Sequence, residues 1–407
     1  MLPNQYTHNI VIKNTDETLF NTVIEARTSI TGYRELNVNQ LDDSNSKQII
    51  IPGLINLHSH LAYSQTKLKS QSLFPWISQL VEIHHMGEME LPSAVLQGAK
   101  EALSFGTSFL VDNTSHPQDS INAFQKSGLK GLIGIEIFGS DPKQATQILE
   151  HNIEQIEQLK KSTNIDLTLS PHASYDVSAQ LWQLCLEWCN QNQVPLLSHL
   201  AESTAEEAWF QNKDSEQAQS AREFWNKINT LETKLENWQS YPSSTQYLHR
   251  HNLLKPFSLL THLVHAQKQD LELIKAAGLG IITCPRSNLY LENGLANYQL
   301  WHELGIQYGI GTDSKASNHD LDLRKEANAI PGLSAKARFA LLTNKAAGLL
   351  KRNDLGSLDI GKAADWVVLE LQDPNIDLAT ADPFELIMDT EMTIVKEVYI
   401  DGYCRYK

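Results

Sequence analysis

The chain has 407 residues, 41% hydrophobic and 20% charged, which is apolar enough to bury a large core and excludes global disorder. With 33 Lys and Arg against 48 Asp and Glu, the formal net charge is −15, so nucleic-acid phosphates and anionic lipid are repelled and neither is an expected partner. No apolar run approaches the roughly 18 residues of a membrane span, and the polar start MLPNQYTHN lacks the pattern of a secretory leader; a cytoplasmic protein acting on a small molecule is expected.

Residues 8–50 read as short strands with turns (HNIVIKN, NTVIEARTSITGYRELNV). From there, eight short apolar, β-branched runs follow at 48–60, 105–114, 131–139, 165–173, 194–202, 257–266, 278–288 and 306–314. They lack period-2 alternation, as strands buried on both faces do, which points to a parallel sheet. Helical patterns separate them, and several, such as SINAFQKSGLK and AQKQDLELIKAAG, run into a glycine at the C-terminal end. Eight strand–helix units over roughly 300 residues predict a (β/α)8 TIM barrel.

The stretch between the fifth and sixth runs, 203–256, is unusually long and carries Trp209, Phe210, Trp225 and Trp238 among many charges. It reads as extra helices over the barrel mouth, a lid or padding. Residues 356–407 (GSLDIGKAADWVVLEL, MTIVKEVYIDGYC) return to short strands. The predicted organisation is therefore α/β: residues 1–50 and 356–407 form one small β-sandwich from the two termini, and residues 51–355 form the barrel. Cys185 and Cys189, four apart on a helical pattern, read as small apolar residues rather than metal ligands.

The polar residues of interest fall at strand ends, where a barrel places its chemistry. His58 and His60 end the first run, His172 the fourth, and His199 the fifth with Glu202 just beyond. His262 and His265 end the sixth and Asp313 the eighth. So many ionisable groups at buried strand tips are costly unless they share a metal or a tight hydrogen-bond network. His58-Ser59-His60 projects two imidazoles to one strand face. Alone, His-x-His is a weak signal. With His199 and Asp313 it makes three imidazoles and a carboxylate, a set that binds one divalent ion, zinc or ferrous iron. Glu202, three residues past His199, is either a general acid–base or a charge favoured at a helix N-terminus. His262 is placed for the attacking water or the substrate. His172, Arg286 and Asn288 are candidate substrate contacts, although Arg286 could also serve only to pair a neighbouring carboxylate.

These motifs resemble the amidohydrolase superfamily over essentially the whole chain. PGLINLHSH resembles its first-strand motif, SHLAES its fifth-strand His-x-x-Glu, GIGTDSKASN its eighth-strand Asp motif, and GSLDIGKAADWVVLEL the return into the β-sandwich. The resemblance is to the branch of cytosine deaminase, guanine deaminase, triazine hydrolases and adenosine-type deaminases. LINLHSHLAYS, FPWISQLV, SPHASYDVS, HLAES, QYLHRHNLL and CPRSN resemble the aminofutalosine deaminase group most.

The resemblance implies hydrolytic deamination of an aminated purine-type nucleoside or base, with release of ammonia. His58, His60, His199 and Asp313 would hold the metal, Glu202 would shuttle the proton, and His262 would orient the water or substrate. The fourth run, IDLTLSPHA, has none of the bridging lysine of two-metal relatives, so one ion is expected, zinc ahead of iron. Relatives are commonly homodimers or larger, and a homodimer is expected. Lys315, where the family motif runs through small residues, is expected to alter the substrate pocket. Guanine or cytosine deamination and triazine dechlorination are the alternative activities. A non-catalytic nucleoside-binding scaffold is the alternative class, disfavoured because no ligand is missing.

Overall fold

The computed structural model describes residues 4–35, 47–87, 90–236, 238–378 and 380–407; the last part of the NTVIEARTSITGYRELNV segment, from residue 36, lies outside them. In chain order the strands are β1 (Asn4–Ile12), β2 (Thr18–Ala26), β3 (Ile30–Glu35), β4 (Gln48–Pro52), β5 (Leu54–Ser59), β6 (Thr107–Thr114), β7 (Lys130–Ile137) and β8 (Asp166–Pro171). They continue as β9 (Leu196–Leu200), β10 (Ser258–His262), β11 (Gly280–Thr283), β12 (Tyr308–Ile310), β13 (Trp366–Leu371), β14 (Thr393–Ile400) and β15 (Tyr403–Tyr406).

β5 to β8 and β9 to β12 form two four-stranded sheets with every adjacent pair parallel. Single parallel bridges, Ser59 to Asp313 and Ala173 to His199, join their edges and close the (β/α)8 barrel. Both bridges pair residues next to or within the expected metal set, so closing the barrel and assembling the site are one event. The strands are buried along nearly their whole length, as their apolar runs require.

The run 48–60 is two strands, not one. Gly53 N–H donates to Asp365 O at 2.9 Å, in the terminal domain, while Leu54 N–H donates to Gly106 O at 3.1 Å, in the barrel. A Cβ on Gly53 would lie 2.1 Å from Ser108 Oγ, so only glycine fits at this handover. The chain therefore passes from the terminal sheet to the barrel sheet at Pro52–Gly53.

The terminal domain draws seven strands from both ends of the chain, in the order β15-β14-β13-β4-β1-β2-β3. Its strands alternate cleanly. Ile10, Ile12, Ile49, Ile51, Val367 and Leu369 join the main core, and Val11, Ile24, Ile50, Trp366 and Val368 make a second small core. Beside β3, Ser29 bridges Ala363, close to β13, so the sheet curls over this second core.

The 203–256 insertion is helical, as expected: Thr204–Gln211, Gln219–Lys227, Leu231–Glu236 and Ser244–Arg250. Trp209, Phe210, Phe224 and Trp225 are buried there with Phe74 and Tyr175 of the barrel mouth, giving the insertion a core of its own. Lys227 Nζ reaches Ser78 Oγ at 2.8 Å and pairs with Glu82, both on the helix Leu73–His85, which pins the roof to the rim. Cys185 and Cys189 are buried on the helix Ala179–Asn192, consistent with a packing role. Among the described residues no helix is long and apolar enough to cross a membrane.

Candidate active site

A cavity of about 740 Å³ opens at the C-terminal ends of the barrel strands. His60, His172, His199, Glu202, His262 and Asp313 meet at its floor, drawn from β5, β8, β9, β10 and the turn after β12. His58 lies directly beneath, its ring 4.9 Å from those of both His60 and His199. The insertion supplies the roof with Phe224, Ile228 and Lys234, and the helix Leu73–His85 lines one side with Trp76, Leu80 and Val81.

Three imidazoles, from His58, His60 and His199, converge with ligand atoms all within 4.8 Å of one another. His60 Nε2 is 3.2 Å from His199 Nε2. Asp313 Oδ1 is 3.6 Å from His58 Nε2 and 3.7 Å from His60 Nε2. Donor atoms sharing one tetrahedral ion at bonds of about 2.0–2.1 Å stand roughly 3.4 Å apart. His58 Nε2 is buried with no hydrogen-bond partner, which is expensive for a ring nitrogen that has nothing to bind. The residues therefore fit a divalent metal ion.

The surrounding hydrogen bonds fix which atoms face inward. His199 Nδ1–H donates to His172 O at 2.8 Å, leaving the Nε2 lone pair for the cage. His58 Nδ1 is held by the Asn113 side-chain amide at 2.9 Å and the Thr261 hydroxyl at 3.3 Å. Asp313 Oδ2 accepts from Ser287 Oγ at 2.5 Å and Ser317 Oγ at 3.0 Å, which turns Oδ1 towards the histidines. Burial holds the His58 and His262 imidazoles below their usual range, His262 at about 4, and burial plus the neighbouring histidines holds His199 well below it. All three are therefore neutral, the form that binds metal. Burial alone would raise the Asp313 carboxyl, but the imidazoles of His58, His60 and His262 around it hold it well below the usual carboxylate range.

Glu202 is 5% exposed and has Oε2 3.7 Å from His262 Nε2, while Oε1 accepts from Asn293 Nδ2 at 3.3 Å. Burial first, then Asp313 and Glu206, push its carboxyl well above the usual range, as suits a group that takes and returns a proton. Its backbone is clamped by Glu206, whose carboxylate accepts from Ala201 N–H at 3.0 Å and Glu202 N–H at 2.8 Å. The strand ends are strained to aim these groups: Ala201, His262, Leu263 and Asp313 all adopt positive φ without being glycine.

Two expected substrate contacts lie off the cavity wall. Arg286 Nη1 is 2.7 Å from Asp320 and 3.7 Å from Glu326, the carboxylate pairing that the sequence left open. Asn288 is fully buried, and its Oδ1 accepts from His262 Nδ1 at 2.8 Å, so it orients His262. Lys315 pairs with Glu101 and does not line the cavity, so the departure from the family motif leaves the pocket untouched; Ser314 lines it instead. His172 does line the cavity, with Nδ1 2.9 Å from Asp176 Oδ2. Sequence reasoning missed Asn113, Glu206, Ser287 and Ser317. Asn113 is the penultimate residue of β6, so polarity at a strand tip could have flagged it, and Ser287 sits in the CPRSN motif that already drew attention to its two neighbours.

A sequence model of the amidohydrolase family matches residues 49–403. A protein of Carboxydothermus hydrogenoformans named 5-methylthioadenosine/S-adenosylhomocysteine deaminase is 26% identical over 357 residues, 83% of this chain and 76% of its own. Among solved structures, Helicobacter pylori aminofutalosine deaminase in complex with methylthio-coformycin superposes with a TM-score of 0.79 at 20% identity, covering 98% of both chains. A zinc-bound adenosine deaminase from Xanthomonas campestris superposes at 0.78 and 18% identity, covering 98% of this chain and 92% of that one.

Proposed function

Because the chain belongs to the amidohydrolase family, we propose that it hydrolytically deaminates an adenine-type nucleoside, using one divalent metal ion, zinc, held by His58, His60, His199 and Asp313. The observation that carries this reading is the placement of Glu202. It is a buried carboxyl group beside the imidazole cage, on the floor of a cavity of nucleoside size. The deaminase names of the relatives agree with it.

The chemistry such an ion supplies when bound is Lewis acidity, which brings the pKa of water from about 15.7 towards about 7. Glu202 takes a proton from the attacking water and delivers it to a purine ring nitrogen, making the adjacent amino-bearing carbon electrophilic. His262, held by Asn288 with its Nε2 towards Glu202, orients that water. Asp313, fixed by Ser287 and Ser317, holds the oxygen on the far side. The water oxygen adds at the carbon; Glu202 or Asp313 then takes the remaining proton of the new hydroxyl and passes it to the amino nitrogen, so that the C–N bond breaks, ammonia leaves and the carbonyl forms. The apolar wall from the helix Leu73–His85 and the roof exclude bulk water.

The test is ammonia release by the metal-loaded protein from adenosine, 5′-methylthioadenosine, S-adenosylhomocysteine and aminofutalosine. Guanine, cytosine and a chlorotriazine (read as chloride) serve as alternatives. Turnover confined to that last group refutes the nucleoside reading. Glu202→Gln keeps the metal and loses about 10²–10⁴-fold in turnover; near-normal turnover removes Glu202 from this role.

A further inference from the structure

The insertion contributes a buried cation to the barrel mouth. Lys234 stands on the helix Leu231–Glu236, and its side chain is only 5% exposed. Its Nζ donates to Tyr175 O at 2.6 Å and to Asp176 Oδ1 at 3.0 Å, and lies 4.9 Å from the Trp225 ring centroid. The other oxygen of Asp176 is 2.9 Å from His172 Nδ1. A continuous line of polar contacts therefore runs from the roof to the imidazole at the tip of the fourth barrel strand. An ammonium is unfavourable inside a protein unless paired and hydrogen-bonded, and every contact given to this one lies on the turn that carries His172 or on the roof itself.

The arrangement leaves His172 little freedom. Its backbone N–H donates to Ile137 O at 3.0 Å and its carbonyl accepts from the His199 ring. Nδ1 is committed to Asp176, so Nε2 is the ring nitrogen available to a molecule in the cavity. Asp176 in turn has Lys234 as its cation, and without it the carboxylate would have to turn to water or to other donors.

We propose that Lys234 is a positioning residue: acting through Asp176, it holds the His172 imidazole in one orientation, with Nε2 presented to a hydrogen-bonding group of the nucleoside. Docking of the insertion thereby becomes a condition for substrate recognition. The substrate half of this inference rests on the deaminase reading; the orientation half stands on the geometry alone.

Two arms of one experiment separate them. In the metal-loaded protein with [15N]histidine and no substrate, Lys234→Met is expected to shift or broaden the His172 ring-nitrogen signals, and Lys234→Arg to restore them. In kinetics, Lys234→Met raises KM about tenfold with little change in kcat, the scale of one lost hydrogen bond, and has no further effect in a His172→Ala background. Metal content and Tm are measured alongside. Asp176→Asn, expected to show the same pattern, carries the test if Lys234→Met does not fold. Unchanged His172 signals in a folded Lys234→Met protein overturn the proposal, as does an effect on kcat/KM that is simply additive with His172→Ala. If no nucleoside is turned over, the deaminase reading falls and the spectroscopic arm still decides the positioning role.

Discussion

Replacing Gly311 by alanine probes whether barrel closure sets the metal site. Gly311 follows β12, where the last barrel strand meets the first, and Thr312 N–H and Asp313 N–H both donate to His58 O at 3.0 Å. A Cβ at Gly311 would stand 2.5 Å from His58 Cβ, 2.7 Å from its O and 2.8 Å from its N. Ordinary contact begins at 3.4 Å, so the two strands must part by about 0.6–0.9 Å. Two of the obstructing atoms are backbone, so no side chain can rotate away.

The displaced element carries His58 on one side and Asp313 on the other, and that separation is 3.6 Å between ligand atoms. A shift approaching 1 Å in a catalytic constellation costs about a hundredfold in rate, and the overpacking itself costs about 1–3 kcal/mol of stability. The expected outcome for Gly311→Ala is a folded protein with zinc affinity lowered about 10–100-fold by chelator competition and ammonia release reduced about a hundredfold. Gly348→Ala is the control. Gly348 is exposed on the helix Asn344–Leu349 with no atom within 4 Å of the added carbon, so the change is neutral or stabilises by up to about 1 kcal/mol. Wild-type metal affinity and turnover in Gly311→Ala would refute the link between closure and site.

Asp313→Asn removes the carboxylate that completes the cage, and elemental analysis after dialysis should find the metal lost; full occupancy would exclude Asp313 as a ligand. Glu207 is buried beside Glu206, and its carboxyl is pushed up to about 8, by burial first and then by the Glu206 charge. Between the ordinary value of 4.5 and 8 the folded chain keeps a proton that the unfolded chain has released, so this group lowers stability as pH rises. Glu207→Gln should therefore raise the urea midpoint at pH 8 and leave it nearly unchanged at pH 5; equal shifts at both would contradict the sign. Trp225→Ala empties the centre of the insertion's core, where Trp225 is fully buried against Trp209 and Phe74. A loss of about 3–5 kcal/mol is expected in chemical unfolding, and a loss under 1 kcal/mol would mean the roof packs otherwise.

Much of this molecule is written locally. Apolar runs without alternation demanded strands covered on both faces, and the helical patterns between them demanded the covering; β5 to β12 follow from that requirement. Strand-end polarity marked His58, His60, His199, Glu202, His262 and Asp313 as candidates, because water-free strand tips rarely carry ionisable groups without a purpose, and the fold brings their side chains to one place. The run 48–60 reads as one piece for the same reason: Ile49–Ile51 and Leu54–Leu57 are both mostly apolar, and the glycine between them, pressed against Ser108, hands the chain from one sheet to the next.

What a single chain pattern could not decide is which polar atoms find each other across the barrel. Arg286 and Asn288 sit in the same short motif as Ser287, yet one pairs with Asp320, one orients His262 and the third steers Asp313. Lys234 lies 58 residues from Asp176 and is carried to it by an insertion whose helices dock through their own aromatic core. Secondary structure and buried faces answer to neighbours along the chain, so the sequence by itself determined the barrel, the terminal β-domain and the ring of candidate ligands. Hydrogen-bond partners answer to distance in space, so only the tertiary structure decided the tautomers, the roof contacts and which of two adjacent side chains looks into the cavity.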